Sequence, residues 1–248
     1  MQETRGPTFV TGYEHLTLAQ RLLRVLHAPR SAYQAVGDEP SGLDWFIPII
    51  ILAAIWIGSN YLTLSVLANP DLPAYQEKWV QLTAEQQALT QQGLEQYTDF
   101  GWYMTPIVNS FFSLAAVALV LLALARLAFQ SEVSLKQMMT VKAYASVIAM
   151  VELIVRTPLV LEAQTPEVSF GLGSLLSEEM AATSFGRILA GADLFVLWQA
   201  IILGLGLGVM GRIPLQRSVP AVVMLWALWI TSGALLSSFS TPPPQVAG

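Results

Sequence analysis

The chain has 248 residues, 54% hydrophobic and 12% charged, with a net charge of −5, no cysteine and a mean hydropathy of +0.55. Soluble domains carry about 25% charged residues, so a chain this poor in charge is suited to a bilayer rather than to a surface in water. The lack of cysteine excludes a disulfide framework, cysteine-ligated zinc and a cysteine nucleophile, and the scattered charges leave no basic stripe for nucleic acid.

Residues 1–40 read as a cytoplasmic N-terminal segment. They hold four arginines and no long apolar run, so no cleavable signal peptide is expected. Thr17-Leu18-Ala19-Gln20 has the form of a capping box. Leu18, Leu22 and Leu26 then share one helical face, with Arg21 and Arg24 elsewhere. Pro29 suits the first turn of a second helix, in which Tyr33 and Val36 face the same way. This pattern predicts one or two amphipathic helices over 16–37 lying on the inner membrane surface. A solvated helical tail is the alternative.

A helix crossing the hydrocarbon needs about 20 mostly apolar residues. Five segments qualify, at about 45–67, 103–126, 141–161, 191–211 and 219–238. The first and fifth carry no charge, the second is uncharged up to Arg126 at its end, the third contains Glu152 and Arg156, and the fourth has Asp193 near its start. Together they predict an all-α integral membrane protein, with a five-helix transmembrane domain over 41–238. Thr83-Ala84-Glu85-Gln86 is a second capping box, predicting a short outer helix over 84–97. The proline-rich tail 239–248 is expected to be disordered. No internal repeat is visible, so an inverted-repeat transporter architecture has no support.

Lysine and arginine concentrate in the N-terminal segment, the second-to-third connection (Arg126, Lys136, Lys142) and the fourth-to-fifth connection (Arg212, Arg217). Only Lys78, Arg156 and Arg187 fall on the other side of a five-span arrangement. The positive-inside rule then places the N-terminus inside and the C-terminus outside. A bacterial inner membrane is the expected location, with an internal eukaryotic membrane as the alternative.

Charges inside a bilayer are costly and mark functional candidates. Glu152 and Arg156 stand at i and i+4, in the order that favours an ion pair. They form a relay or polar cavity in one reading and a neutralised packing pair in the other. Asp193 joins them or serves as an N-terminal charge favoured by the helix dipole. Asn60, Asn109 and Gln199 are expected to hydrogen-bond between helices, and Trp226 and Trp229 to pack. Lys142 and Tyr144 are expected to anchor at the interface. There is no metalloprotease, nucleophile-elbow or Walker motif, and the histidines are His15 and His27 alone. No catalytic residue, cofactor or metal site is predicted.

Gly206-Leu207-Gly208-Val209-Met210-Gly211 matches the dinucleotide fingerprint G-x-G-x-x-G. That motif needs a preceding strand, a helix opening at the glycines and an acidic residue about 20 positions on. Here an apolar helical run precedes, no Asp or Glu follows Asp193, and Pro214 three residues after Gly211 means that a helix closes at the motif and none opens there. Gly204, Gly208 and Gly211 instead form a stripe at i, i+4 and i+7, a groove for a neighbouring helix.

The segment Arg24-Val-Leu-His-Ala-Pro-Arg-Ser-Ala-Tyr-Gln-Ala-Val36, the entry Lys142-Ala143-Tyr144-Ala145 and Leu197-Trp198-Gln199 carry a resemblance over roughly residues 20–238. The chain resembles the Yip1-domain family, especially its bacterial members. The stretch 69–102 is longer than that pattern expects. The resemblance implies a five-span helical membrane domain with a cytoplasmic N-terminus. Eukaryotic relatives are linked to vesicle traffic, membrane shaping and Rab-type GTPases, partners that this chain need not share. No functional residue is carried over. The expected function is a non-enzymatic scaffold, partner-binding or bilayer-organising module. Its expected partners are the lipid bilayer, a protein at the N-terminal amphipathic segment and a second copy of itself. The alternative is a small-solute or ion transporter using Glu152, Arg156 and Asp193.

Overall fold

The computed structural model describes residues 16–67, 100–165 and 193–240, with single positions between 76 and 88 and between 168 and 189. Residues 1–15, most of the predicted outer helix 84–97 and the tail from 241 lie outside the described residues. The Thr83 cap is present, with Gln86 N donating to Thr83 Oγ1 at 3.3 Å and Thr83 N to Gln86 Oε1 at 2.9 Å.

Among the described residues the chain is helical, without a strand. Two short helices come first, α1 (Leu18–His27) and α2 (Pro29–Gln34). Five long ones follow: α3 (Gly42–Leu67), α4 (Phe100–Ala123, continued by the π-helical turn Leu124–Ala128), α5 (Leu135–Ala163), α6 (Leu194–Met210) and α7 (Leu215–Ser240). The long helices alternate in direction. Asp38 meets Arg212 and Ser131 meets Gly211 at the end where α1 and α2 sit, while Ser59 meets Thr157 towards the far end.

The stretches Gly42–Val66, Tyr103–Ala128 and Leu135–Ala163 are long and apolar enough to cross a bilayer. The predicted fourth segment is a shorter apolar helix of 17 residues. At about 1.5 Å per residue it falls roughly a turn short of the hydrocarbon thickness. Its start moves from 191 to Leu194 because Asp193 caps it, accepting from Phe195 N at 2.8 Å.

Helix α5, by contrast, starts earlier than predicted, at Leu135. The reason is a capping box: Ser134 Oγ accepts from Gln137 N and Gln137 Oε1 accepts from Ser134 N. Ser134-Leu-Lys-Gln137 carries that signature openly, and the apolar-run criterion passes over it. The helix then runs through Pro158 to Ala163. The Thr157 hydroxyl beside the proline bonds Leu153 O at 2.7 Å and meets Ser59 Oγ at 2.6 Å, which supports the interrupted turn.

Helix α5 is the hub. Helices α3, α4 and α6 pack on it, α1 touches it, and α7 and α2 pack on α6. Every residue from Val141 to Ile148 is buried, so this stretch lacks the one-sided periodicity of a surface helix. Its buried hydroxyls are satisfied by the turn before them: Thr140 Oγ1 donates to Lys136 O and Ser146 Oγ to Lys142 O.

Candidate functional site

The apolar face of the N-terminal helices packs on the helical bundle. Val25, Ala32 and Tyr33 are fully buried, and Leu18, Leu22, Leu26 and Val36 pack against the same core. Tyr33 OH donates to Val141 O at 3.1 Å, and its ring lies 5.8 Å from that of Tyr144. Burial, with Tyr144 beside it, holds the Tyr33 phenol well above its ordinary pKa, so it remains a neutral donor. The large apolar side chain that stays outward on α1 is Leu23, 62% exposed.

Beneath these helices lies a polar knot that the sequence reading misses. Asp44 is buried in the first turn of α3. Its Oδ1 faces Arg21 Nη1 at 2.9 Å and accepts from Tyr144 OH at 3.3 Å. Its Oδ2 accepts from Ser41 N at 2.7 Å and Ser41 Oγ at 2.9 Å. One cation and several donors thus compensate a buried carboxylate. Lys142 is likewise buried, at 7% exposure, and not an interfacial anchor as its position suggests. The readable signals are Arg21 beside the apolar stripe of α1 and Asp44 directly before an uncharged span.

The predicted charged trio does assemble, at the far end. Arg156 Nη2 is 2.7 Å from Glu152 Oε1 and 3.5 Å from Asp193 Oδ2. Asp193 therefore fills both predicted roles, as helix cap and as partner of the pair. Arg156 also does something unforeseen: its Nη1 donates to Val168 O at 3.0 Å, and its guanidinium lies 5.4 Å from the centre of the Phe170 ring. Phe170 in turn stands edge-on to Phe195, 5.1 Å between centres, and its carbonyl accepts from Leu194 N. The trio ties the segment around 168–171 to α5 and α6.

Of the uncharged polar candidates, Gln199 donates across helices to Ala145 O at 3.2 Å. Asn109 is exposed on α4. Trp229, expected to pack, is 78% exposed.

The glycine stripe receives α7. A Cβ on Gly204 would stand 2.7 Å from Val219 Cα, and one on Gly208 2.5 Å from Ser218 Oγ. A Cβ on Gly211 would press on Ile213 and on Leu207 O of its own helix end. Gly206, which the stripe leaves out, is as tightly held on the opposite face: a Cβ there would stand 2.6 Å from Tyr33 Cζ and 2.7 Å from Val141 Cγ1. The nucleotide fingerprint is thus the closing turns of α6, with helices against both sides.

The chain matches no curated protein and no solved structure. The family model described as the Yip1 domain does match, over residues 23–237. That stretch opens in α1, includes Asp44 and Tyr144 of the knot and the far-end trio, and closes in α7. The family is one of membrane proteins, not known for enzymatic activity. With three membrane-length apolar helices in a helical bundle and most of its length matched, the chain belongs to the Yip1 domain family of membrane proteins.

Proposed function

We propose that the chain is a non-enzymatic five-span module of a bacterial inner membrane that organises a protein partner or lipids at its α1–α2 end. The observation that carries this reading is the docking of α1 and α2 through Tyr33 and the Arg21–Asp44 pair. It makes that end a preformed platform with Leu23 outward. Charge supports an inward-facing platform. Among the described residues, eight Lys and Arg against four Asp and Glu lie at this end, whereas Arg156 faces Glu152, Glu162 and Asp193 at the other. The 17-residue α6 and the 26-residue α7 supply the fourth and fifth crossings.

A photo-crosslinking side chain at Leu23, in native membranes, tests the platform. A defined protein or lipid adduct is expected there, and none at Thr83. Adducts of equal pattern at both positions would sink the reading. Deletion of residues 16–37 is the wrong test, because it would strip Val25 and Tyr33 from the core.

The transporter alternative draws support from one guanidinium meeting two carboxylates. The ties from Arg156 to Val168 and Phe170 favour a structural clamp instead. Ion flux into proteoliposomes that Glu152→Gln abolishes would restore transport.

A further inference from the structure

The loop between α6 and α7 lies between two adjoining clefts at the α1–α2 end. One, of about 440 Å³, is lined by Arg30, Gln34, Arg212 and Gln216, with Val209 and Leu215 as apolar walls. The other, of about 410 Å³, shares Arg212 and adds Gln130, Ser131 and Arg217. Among the described residues no acidic side chain lines either cleft. Asp38 reaches Arg212 from the side at 2.7 Å, but both groups are more than half exposed, and such pairs hold weakly. From Arg217 the outer face of α7 runs on through Met224 and Leu228, each 65% exposed and on the arginine's side of the helix at i+7 and i+11.

We infer that these clefts seat the phosphate headgroup of an anionic phospholipid, between Arg30, Arg212 and Arg217, with its acyl chains along Met224 and Leu228 of α7. The inference rests on the membrane-module reading and deepens it. Arginine forks suit phosphate oxygens. Glutamines and a serine beside them suit the glycerol hydroxyls of a headgroup. A soluble phosphate would use the arginines alone, whereas a lipid also follows the apolar strip that leads away from them.

The test uses the full chain in nanodiscs, with lipid retention read by native mass spectrometry after detergent transfer. Phosphatidylglycerol is compared with phosphatidylcholine, and inorganic phosphate forms a separate arm, read as a shift in melting temperature. The chain is expected to retain phosphatidylglycerol selectively. Each arginine near a membrane surface contributes about a fivefold preference for anionic lipid, so Arg30→Gln with Arg217→Gln should lower retention at least about tenfold. Leu228→Asn should weaken retention while leaving any phosphate effect unchanged. Equal retention by the double variant, or no preference in the unaltered chain, overturns the site. Insertion into nanodiscs in the same samples leaves the module reading standing. Protection by inorganic phosphate equal to that by lipid overturns the lipid assignment in favour of a soluble anion.

Discussion

Asp44 is the residue on which the N-terminal helices depend. Removing its cation with Arg21→Ala leaves a buried carboxylate held only by neutral donors. Breaking a buried pair from one side costs about 3–5 kcal/mol, and a melt in detergent should show a loss of that size. Replacing both, as Arg21→Met with Asp44→Asn, should lose less than the single change; a larger loss would show that the pair is not the source. The far-end trio behaves asymmetrically. Glu152→Gln still leaves Arg156 opposite Asp193, whereas Arg156→Ala sets two carboxylates facing each other and releases Val168. A double-mutant cycle should show Arg156→Ala as the worse change, partly rescued by adding Glu152→Gln. Equal or additive losses would count against the arrangement. The pair itself is legible in the sequence because i and i+4 fixes a shared face. The Arg21–Asp44–Tyr144 knot is not, because its members come from three helices, and Asp44 and Tyr144 alone are 100 positions apart in the chain.

At the scale of elements, α6 carries two seams. Gly204 and Gly208 admit α7, and Gly206 admits Tyr33 of α2. Gly204→Ala and Gly206→Ala should therefore fail differently, each losing about 1–3 kcal/mol by overpacking. The first drives a methyl group at the Val219 backbone and should loosen α7. The second pushes on the Tyr33 ring and should open α1–α2 to limited proteolysis while α7 stays protected. Identical protease patterns would argue against separate seams. The stripe of three glycines is readable from spacing alone. Gly206 is not, since nothing local shows that a tyrosine some 170 positions earlier comes to rest on it. Helix ends followed caps more closely than hydropathy: Ser134 and Asp193 moved two starts, and both carried their side-chain signal in the sequence. The buried stretch of α5 shows no apolar stripe on one side, for a physical reason. A helix enclosed by neighbours needs no one-sided apolar stripe, and it tolerates Thr140 and Ser146 by bonding them to its own carbonyls.

At the scale of the molecule, the natural lack of cysteine gives a clean background for labelling. With the proposed orientation, Leu23→Cys should react with an impermeant thiol reagent only from the cytoplasmic side, and Thr83→Cys only from the other. A cysteine at Thr241 should behave like the one at position 83, and labelling from the cytoplasmic side would remove one crossing from the five.

The docking of Tyr33 has a consequence for synthesis. Its hydroxyl meets a carbonyl 108 positions later in the chain, and its ring meets a glycine later still. On the ribosome α1 and α2 emerge long before their seats on α5 and α6 exist. During that interval Leu18, Leu22 and Leu26 lack the core that covers them in the folded chain, and a membrane surface suits such a face. The amphipathic pattern that reads as a lipid-surface helix thus describes a waiting position, and the folded chain is where the wait ends. Nascent chains stalled before α5 should leave Leu23 and Tyr33 equally open to crosslinking, and the finished protein should hide Tyr33.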